Sequence, residues 1–162
     1  MPGLPEGVSE PVEILDRYLP RSTLRLRRMQ TASTVVYKLG QKVRDDPARP
    51  FLVHLTNMYL TEPEFDFMAQ LEAAVLVKTR RHWPVGGVTF SVDEFSGSLN
   101  GLVLAELELS LEVTDPEPPP GAVADVTEDD RFSGGHLALL NPAEARELLE
   151  EVARMRGRTA NP

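Results

Sequence analysis

Charged residues recur two or four positions apart within several short segments that otherwise favour β-strands. These pairs are Arg25 and Arg27, Lys38 and Lys42, Lys78 and Arg80, and Glu106 and Glu108. Because side chains along a strand alternate between its two faces, residues two or four apart lie on the same face. The opposite parity carries apolar residues such as Leu26, Val77 and Leu107. The pattern predicts a sheet with one charged face and one face packed against apolar cover.

Such a sheet has two interpretations. In the simpler one, an ordinary half-exposed sheet holds its charges in water. Same-face pairs on four separate strands favour the other, a concave surface that gathers bases around an anion. A polyphosphate would compensate their mutual repulsion, and arginine binds its oxygens through paired hydrogen bonds. Glu106 and Glu108 would repel that anion unless a divalent cation lay between them, as Mg²⁺ does when it joins carboxylates to phosphates. The pattern therefore predicts a metal–polyphosphate site.

The rest of the chain predicts an α+β fold of about six or seven antiparallel strands. The predicted strands cover residues 12–19, 23–29, 34–43, 51–60, 74–83, 88–95 and 102–109. Thr61 and Glu64 have the spacing of a capping box and predict a helix over 61–72. Asn141 and Pro142 predict the start of a terminal helix ending near residue 155, after a short helical turn at 136–140. We expect one domain over 1–162, with a barrel core at 12–138, a C-terminal helix at 141–156 and a loose tail at 1–11.

Composition narrows the function classes. The absence of cysteine excludes disulfides, thiolate metal sites and cysteine nucleophiles. A net charge of −8 argues against duplex nucleic acid as a partner. That charge is uneven, because residues 17–49 hold nine bases and two acids, whereas residues 106–151 hold 13 acids and two bases. No apolar run approaches the ~20 residues that span a bilayer, and the N-terminus lacks a signal-peptide pattern, so we expect no membrane partner and a cytoplasmic location.

Other catalytic motifs are absent from the sequence. The histidines at positions 54, 82 and 136 lack the spacing of a zinc site, and no Walker loop or nucleophile elbow occurs. Glu62 and Glu64 are adequately explained by the start of a helix.

Seven segments, taken together in chain order, resemble the CYTH domain of the triphosphate tunnel metalloenzyme superfamily. They are LRLRRM (24–29), YKLGQK (37–42), LTNMYL (55–60), VKTRRHW (77–83), FSVDEF (90–95), GLVLAELEL (101–109) and DVTEDDRFSGGHLA (125–138). The resemblance covers about residues 12–138 and implies an antiparallel β-barrel of about eight strands around a charged tunnel, with flanking helices.

The resemblance also implies a ligand and roles for the charged residues. The ligand would be a triphosphate-bearing small molecule with Mg²⁺ or Mn²⁺. The implied phosphate-binding bases are Arg25, Arg27, Lys38, Lys42, Lys78 and Arg80. Glu106 and Glu108 would serve the metal and the attacking water. Asp93 matches the acidic position of the family's V-D-x-F strand and would be a further metal ligand. Family members include thiamine triphosphatases, inorganic triphosphatases and class IV adenylate cyclases.

The chain departs from the family at one motif. No ExExK strand occurs, and residues 55–60, which match a glutamate-bearing strand of the family, carry no acid. We therefore expect either a chain shortened upstream, so that the barrel lacks its first strand, or a degenerate metal site. Three functions stay open: a metal-dependent triphosphatase, a non-catalytic nucleotide- or polyphosphate-binding module, and an adenylate cyclase-type enzyme. The oligomeric state is also open, with a homodimer as one alternative.

Overall fold

Seven strands and three α-helices make up the part of the chain that the structure describes. The computed structural model describes residues 7–43, 53–108 and 117–159. The strands are β1 (Val12–Tyr18), β2 (Leu24–Gln30), β3 (Val35–Val43), β4 (His54–Leu60), β5 (Ala74–Val85), β6 (Val88–Phe95) and β7 (Val103–Glu106). The helices are α1 (Glu62–Met68), α2 (Gly134–Leu139) and α3 (Pro142–Thr159), with 3₁₀ turns at Gly97–Leu99 and Asp130–Phe132.

The strands form a single antiparallel sheet in the order β4-β3-β2-β1-β5-β6-β7. Two meanders, β1 to β4 and β5 to β7, join where β5 returns to pair with the free side of β1, and α1 lies in the connection. The sheet curls into a half-barrel flanked by helices. The predicted α+β antiparallel fold is confirmed.

Local sequence signals predicted the positions of the strands and the starts of helices α1 and α3. Each predicted strand is present, although residues 51, 52 and 109 lie outside the described residues. Helix α1 begins with the predicted capping box, in which Thr61 Oγ1 accepts from the Glu64 amide at 3.4 Å and Glu64 Oε2 accepts from the Thr61 amide at 2.7 Å. Helix α3 begins as predicted, with Asn141 Oδ1 accepting from the amide of residue 144 at 3.0 Å.

Two helix ends differ from the prediction. Helix α1 ends at Met68 rather than near residue 72, because Arg17 Nη2 donates to the carbonyls of Ala69 and Leu71 at 2.8 and 3.0 Å. The side chain of Arg17, on strand β1, thus donates hydrogen bonds to carbonyl groups just beyond the end of this helix. Helix α3 continues four residues beyond the predicted end, to Thr159.

The main hydrophobic core lies on the same face of the sheet for which the sequence pattern predicts charged residues. It joins the ends of β5 and β6 to α2 and α3, and its buried members are Leu76, Phe95, Leu99, Leu102, Phe132, Leu137, Ala145 and Leu148. Leu76 and Phe95 have the same parity as Lys78 and Asp93, so one face of these strands is apolar at one end and charged beyond it.

The opposite face of the sheet was predicted to pack against apolar cover, and the structure differs from this prediction. Leu26 is fully buried there, but Val77 and Val103 are 42% and 55% exposed. The prediction was wrong for β5 and β7 because the covering helices α2 and α3 pack on the charged face instead. Alternation shows which residues share a face, but it does not reveal on which face a distant helix will dock.

Adjacent residues at the start of β7 provide a test of this core. Leu102 is 1% exposed and Val103 is 55% exposed. We expect Leu102→Ala to lower the free energy of unfolding by about 2 to 5 kcal/mol through a cavity against α3, and Val103→Ala to lower it by less than about 1 kcal/mol. Urea denaturation followed by circular dichroism measures both, and equal losses would contradict the described packing.

Candidate functional site

Strand register brings the predicted bases onto one face of the sheet. Arg27 lies opposite Lys38 on β3 and opposite Asp16 on β1, while Arg80 lies opposite Asp93. Cross-strand partners share a face, and so do residues of the same parity along a strand. We call this surface the charged face; the aspartates, glutamates, lysines and arginines that the described strands place on it are Asp16, Arg25, Arg27, Lys38, Lys42, Lys78, Arg80, Asp93 and Glu106. All six predicted bases therefore lie on it, whereas Glu108 follows the end of β7.

Asp16 organises the bases of β2. Its side chain is fully buried and accepts from Arg27 Nε at 2.6 Å and from Arg27 Nη2 at 2.7 Å. Arg25 Nε lies 3.6 Å from the same carboxylate. Asp16 was not among the residues predicted from the sequence. The available signal was its parity in β1, where it shares a face with Ile14 and Tyr18.

Asp93 organises the bases of β5 in the same manner. It is fully buried; Oδ2 accepts from Lys78 Nζ, and Arg80 donates from Nε and Nη2 at 2.6 and 2.7 Å. Arg80 Nη2 also donates to Glu106 Oε2 at 2.9 Å. The carboxylate that was predicted as a metal ligand is thus surrounded by cations.

These contacts shift the pKa values of Asp93, Lys78 and Arg80, which together we call the Asp93 cluster. Burial alone would raise the pKa of Asp93, but hydrogen bonds from Arg80 and the charges of Lys78 and Arg80 outweigh it and lower that pKa. Burial lowers the pKa of Lys78, with Asp93 opposing the shift. Burial would also lower the pKa of Arg80, but Asp93 and Glu106 outweigh it and raise that pKa. The carboxylate therefore stays ionised at neutral pH.

Three bases on the β2–β3 side, Arg25, Lys38 and Lys42, are more accessible than Lys78 beside Asp93. The Arg25 side chain is 23% exposed, against 5% for Lys78. Lys38 is half-buried with Nζ 5.0 Å from the centre of the Tyr59 ring, and Lys42 is exposed. Accessible cations beside buried ion pairs form a surface that can receive an anion.

Tyr18 and Gly134 attach this surface to the helical end of the sheet. The pKa of Tyr18 is raised by burial and by the charge of Asp16, while the charge of Arg25 opposes the shift. A Cβ atom added at Gly134, the first residue of α2, would lie 2.1 Å from the Tyr18 hydroxyl. Glycine is therefore required there for the close approach of α2.

The charge balance of this surface is positive. Six bases face three carboxylates, which leaves the charged face with three net positive charges. Within the described ranges, no group of three or more acidic, histidine or cysteine side chains is arranged to hold a metal ion. Asp93 is engaged by bases on both oxygens, whereas Glu106 is 56% exposed and Glu108 is exposed. Asp93 thus has an ion-pair role, whereas the exposed Glu106 and Glu108 are left accessible to solvent.

No helix among the described residues combines the length and apolar character required to cross a membrane.

Known structures share this fold. Two crystal structures of the protein NE1496 match the chain, one described as a hypothetical protein and the other as an inorganic triphosphatase. The sequence identity is 25% in both, and the TM-scores are 0.55 and 0.57. The matches cover 85% and 86% of this chain and 92% and 93% of NE1496. No protein-family profile and no curated protein matches the chain.

These matches bear out the resemblance at the level of the fold. A half-barrel with flanking helices, shared over most of both chains, supports the predicted CYTH-like architecture. The roles of the individual residues, the metal and the absence of a first strand stay predictions.

The Asp93 cluster predicts a loss of stability in acid. Because folding lowers the pKa of Asp93 below its unfolded value near 4, its ionised form stabilises the fold above about pH 4, and this contribution is lost as the pH falls through the folded pKa. Lys78 and Arg80 stay charged in this range. We expect Asp93→Asn to lower the free energy of unfolding by about 3 kcal/mol at neutral pH and the difference in Tm to shrink below about pH 4.

Thermal denaturation of both proteins between about pH 7 and pH 2.5 provides the measurement. Glu94→Gln, on the opposite face of β6 and paired with the partly exposed Arg81, serves as the control. A gap between wild type and Asp93→Asn that stays constant across the range would contradict the described role of Asp93.

Proposed function

We propose that the charged face binds a triphosphate-bearing small molecule and that the protein hydrolyses its terminal phosphoanhydride bond. The observation that carries this proposal is the gathering of six bases on one face of a half-barrel. The likeness to NE1496, described as an inorganic triphosphatase, supports the same substrate class.

Binding begins with the accessible bases. Arg25, Lys38 and Lys42 lie on neighbouring strands and can donate to phosphate oxygens without leaving the sheet. Arginine offers a planar set of donors that matches a phosphate, while lysine contributes a point charge. Arg80 reaches the same surface from β5 and bridges the buried Asp93 to Glu106. An elongated polyanion can thus contact both sides of the face.

Glu106 and Glu108 are the carboxylates proposed to hold Mg²⁺ or Mn²⁺ together with phosphate oxygens. The cation, when bound, would neutralise part of the phosphate charge. Asp93 is excluded from this role in our proposal, because three N–H donors from Lys78 and Arg80 already occupy it.

For hydrolysis, Glu106 is proposed as the group that orients and deprotonates water. Its Oε2 atom accepts from Arg80, which fixes the direction of the carboxylate. Water attacks the terminal phosphorus, the bond to the bridging oxygen breaks, and inorganic triphosphate would give diphosphate and orthophosphate. Arg25, Lys38 and Arg80 would stabilise the charge on the transferred group.

A second candidate is binding without turnover. It is favoured by the absence of a cluster of three acidic side chains in the described part of the chain. No described residue specifically supports the third alternative, an adenylate cyclase-type activity, and we do not propose it.

Two neighbouring arginines of β5 test the proposed face directly. Arg80 belongs to the charged face, whereas Arg81 lies on the opposite face and pairs with Glu94 at 2.9 Å. We expect Arg80→Gln to reduce phosphate release from inorganic triphosphate by about tenfold or more, the loss of one charge-assisted contact, and Arg81→Gln to leave it unchanged. Release should be measured with Mg²⁺, with Mn²⁺ and with neither. Equal effects of the two variants would contradict the assignment of the face.

The two candidate functions are separated by Glu106→Gln. A triphosphatase predicts release by the wild type well above that of this variant. A binding module predicts equal, negligible release together with a rise in wild-type Tm on adding inorganic triphosphate, since a ligand of the folded state stabilises it. If neither release nor a rise in Tm occurs, both functions are refuted.

A further inference from the structure

We infer that Asp16 is a positioning residue that orients Arg25 and Arg27 for anion binding. The inference rests on the proposed function and names a residue to which that function assigns no role. Asp16 is fully buried, so it cannot itself contact a ligand in solution. It acts through the bases of β2.

The contact with Arg27 fixes a guanidinium plane. Nε and Nη2 donate to the two oxygens of Asp16 at 2.6 and 2.7 Å, which leaves three of the five N–H donors for other acceptors. A paired contact of this kind sets both the position and the rotation of the group. Arg27 is therefore held in one orientation before any ligand arrives.

Arg25 is confined on several sides. Its Nε atom lies 3.6 Å from Asp16, and the residue lies opposite Tyr18 in the β1–β2 register. A Cβ atom at Gly40 would lie at an ordinary contact distance of 3.6 Å from Arg25 Nη2 and at a tight 3.1 Å from Asn57 Oδ1, so the guanidinium lies beside the backbone of β3. The 23% exposure of Arg25 then presents an oriented donor to the charged face.

The arrangement around Asp16 recurs around Asp93. In each, a fully buried aspartate engages two bases that lie two positions apart on a neighbouring strand. Stability alone is a weak reason for such clusters, because apolar replacements of buried ion pairs are often as stable. Electrostatics alone would disfavour buried aspartates at an anion-binding site, because each aspartate repels the anion. Orientation of the bases accounts for both observations.

The two explanations predict opposite changes in the affinity for inorganic triphosphate when Asp16 is replaced. Asp16→Asn removes a negative charge from the cationic face, so a purely electrostatic role predicts tighter binding of inorganic triphosphate. A positioning role predicts binding that is weaker by about tenfold or more. Isothermal titration calorimetry at fixed ionic strength gives the affinity, and circular dichroism confirms that the variant is folded. Glu94→Gln removes a carboxylate from the opposite face and should change the affinity by less than about threefold.

A double-mutant cycle separates positioning from a general loss of packing. If Asp16 acts through Arg27, Asp16→Asn should have little further effect on affinity in an Arg27→Gln background. Independent, additive losses would overturn the inference. Should Asp16→Asn fail to fold, Arg27→Lys replaces it, since lysine keeps the charge but loses the paired contact. Wild-type affinity in folded Arg27→Lys would likewise overturn the inference.

The outcomes also distinguish failure of this inference from failure of the proposed function on which it rests. If wild-type protein fails to bind inorganic triphosphate, the proposed function and the inference both fall. If wild type binds and folded Asp16→Asn binds equally or more tightly, the positioning role falls and the proposed function stands.

Discussion

Two buried carboxylates make the charged face of this sheet possible. Bases on adjacent strands repel one another, and burial weakens the screening that water would provide. Asp16 and Asp93 lie among them with both side chains fully buried, and each engages a pair of bases. The strands β2, β1, β5 and β6 can therefore lie side by side with charge on one face. Removing either carboxylate would leave buried cations without compensation.

The same face also contains the main core, and this division defines the site. Leu76 and Lys78 are two residues apart on β5, yet one packs in the core and the other pairs with Asp93. Helices α2 and α3 cover the apolar end and leave the charged end uncovered by them. The close contact of Gly134 with Tyr18 joins the two regions, because Tyr18 in turn lies opposite Arg25 in the β1–β2 register. Core packing and the orientation of the bases are thereby physically connected.

The acidic residues of the face divide into two groups. Asp16 and Asp93 are buried and committed to bases, whereas Glu106 is more than half exposed and contacts Arg80 with one oxygen. The buried pair contacts the bases. The exposed Glu106 is the carboxylate that our proposal assigns to a metal shared with the substrate, whose phosphates would supply much of the coordination.

The sequence by itself determined the strands, the helix starts and the common face of the six bases. These follow from local rules: alternation along a strand, and capping groups such as Thr61 and Asn141 that satisfy amides within three residues. Tertiary structure decided which side the helices cover, as exposed Val77 shows, and where Arg17 reaches the end of α1. It also decided the roles of Asp16 and Asp93. A carboxylate shows no sign in the sequence of whether it will face a metal or two bases, because that choice depends on strand register and burial, which distant residues set.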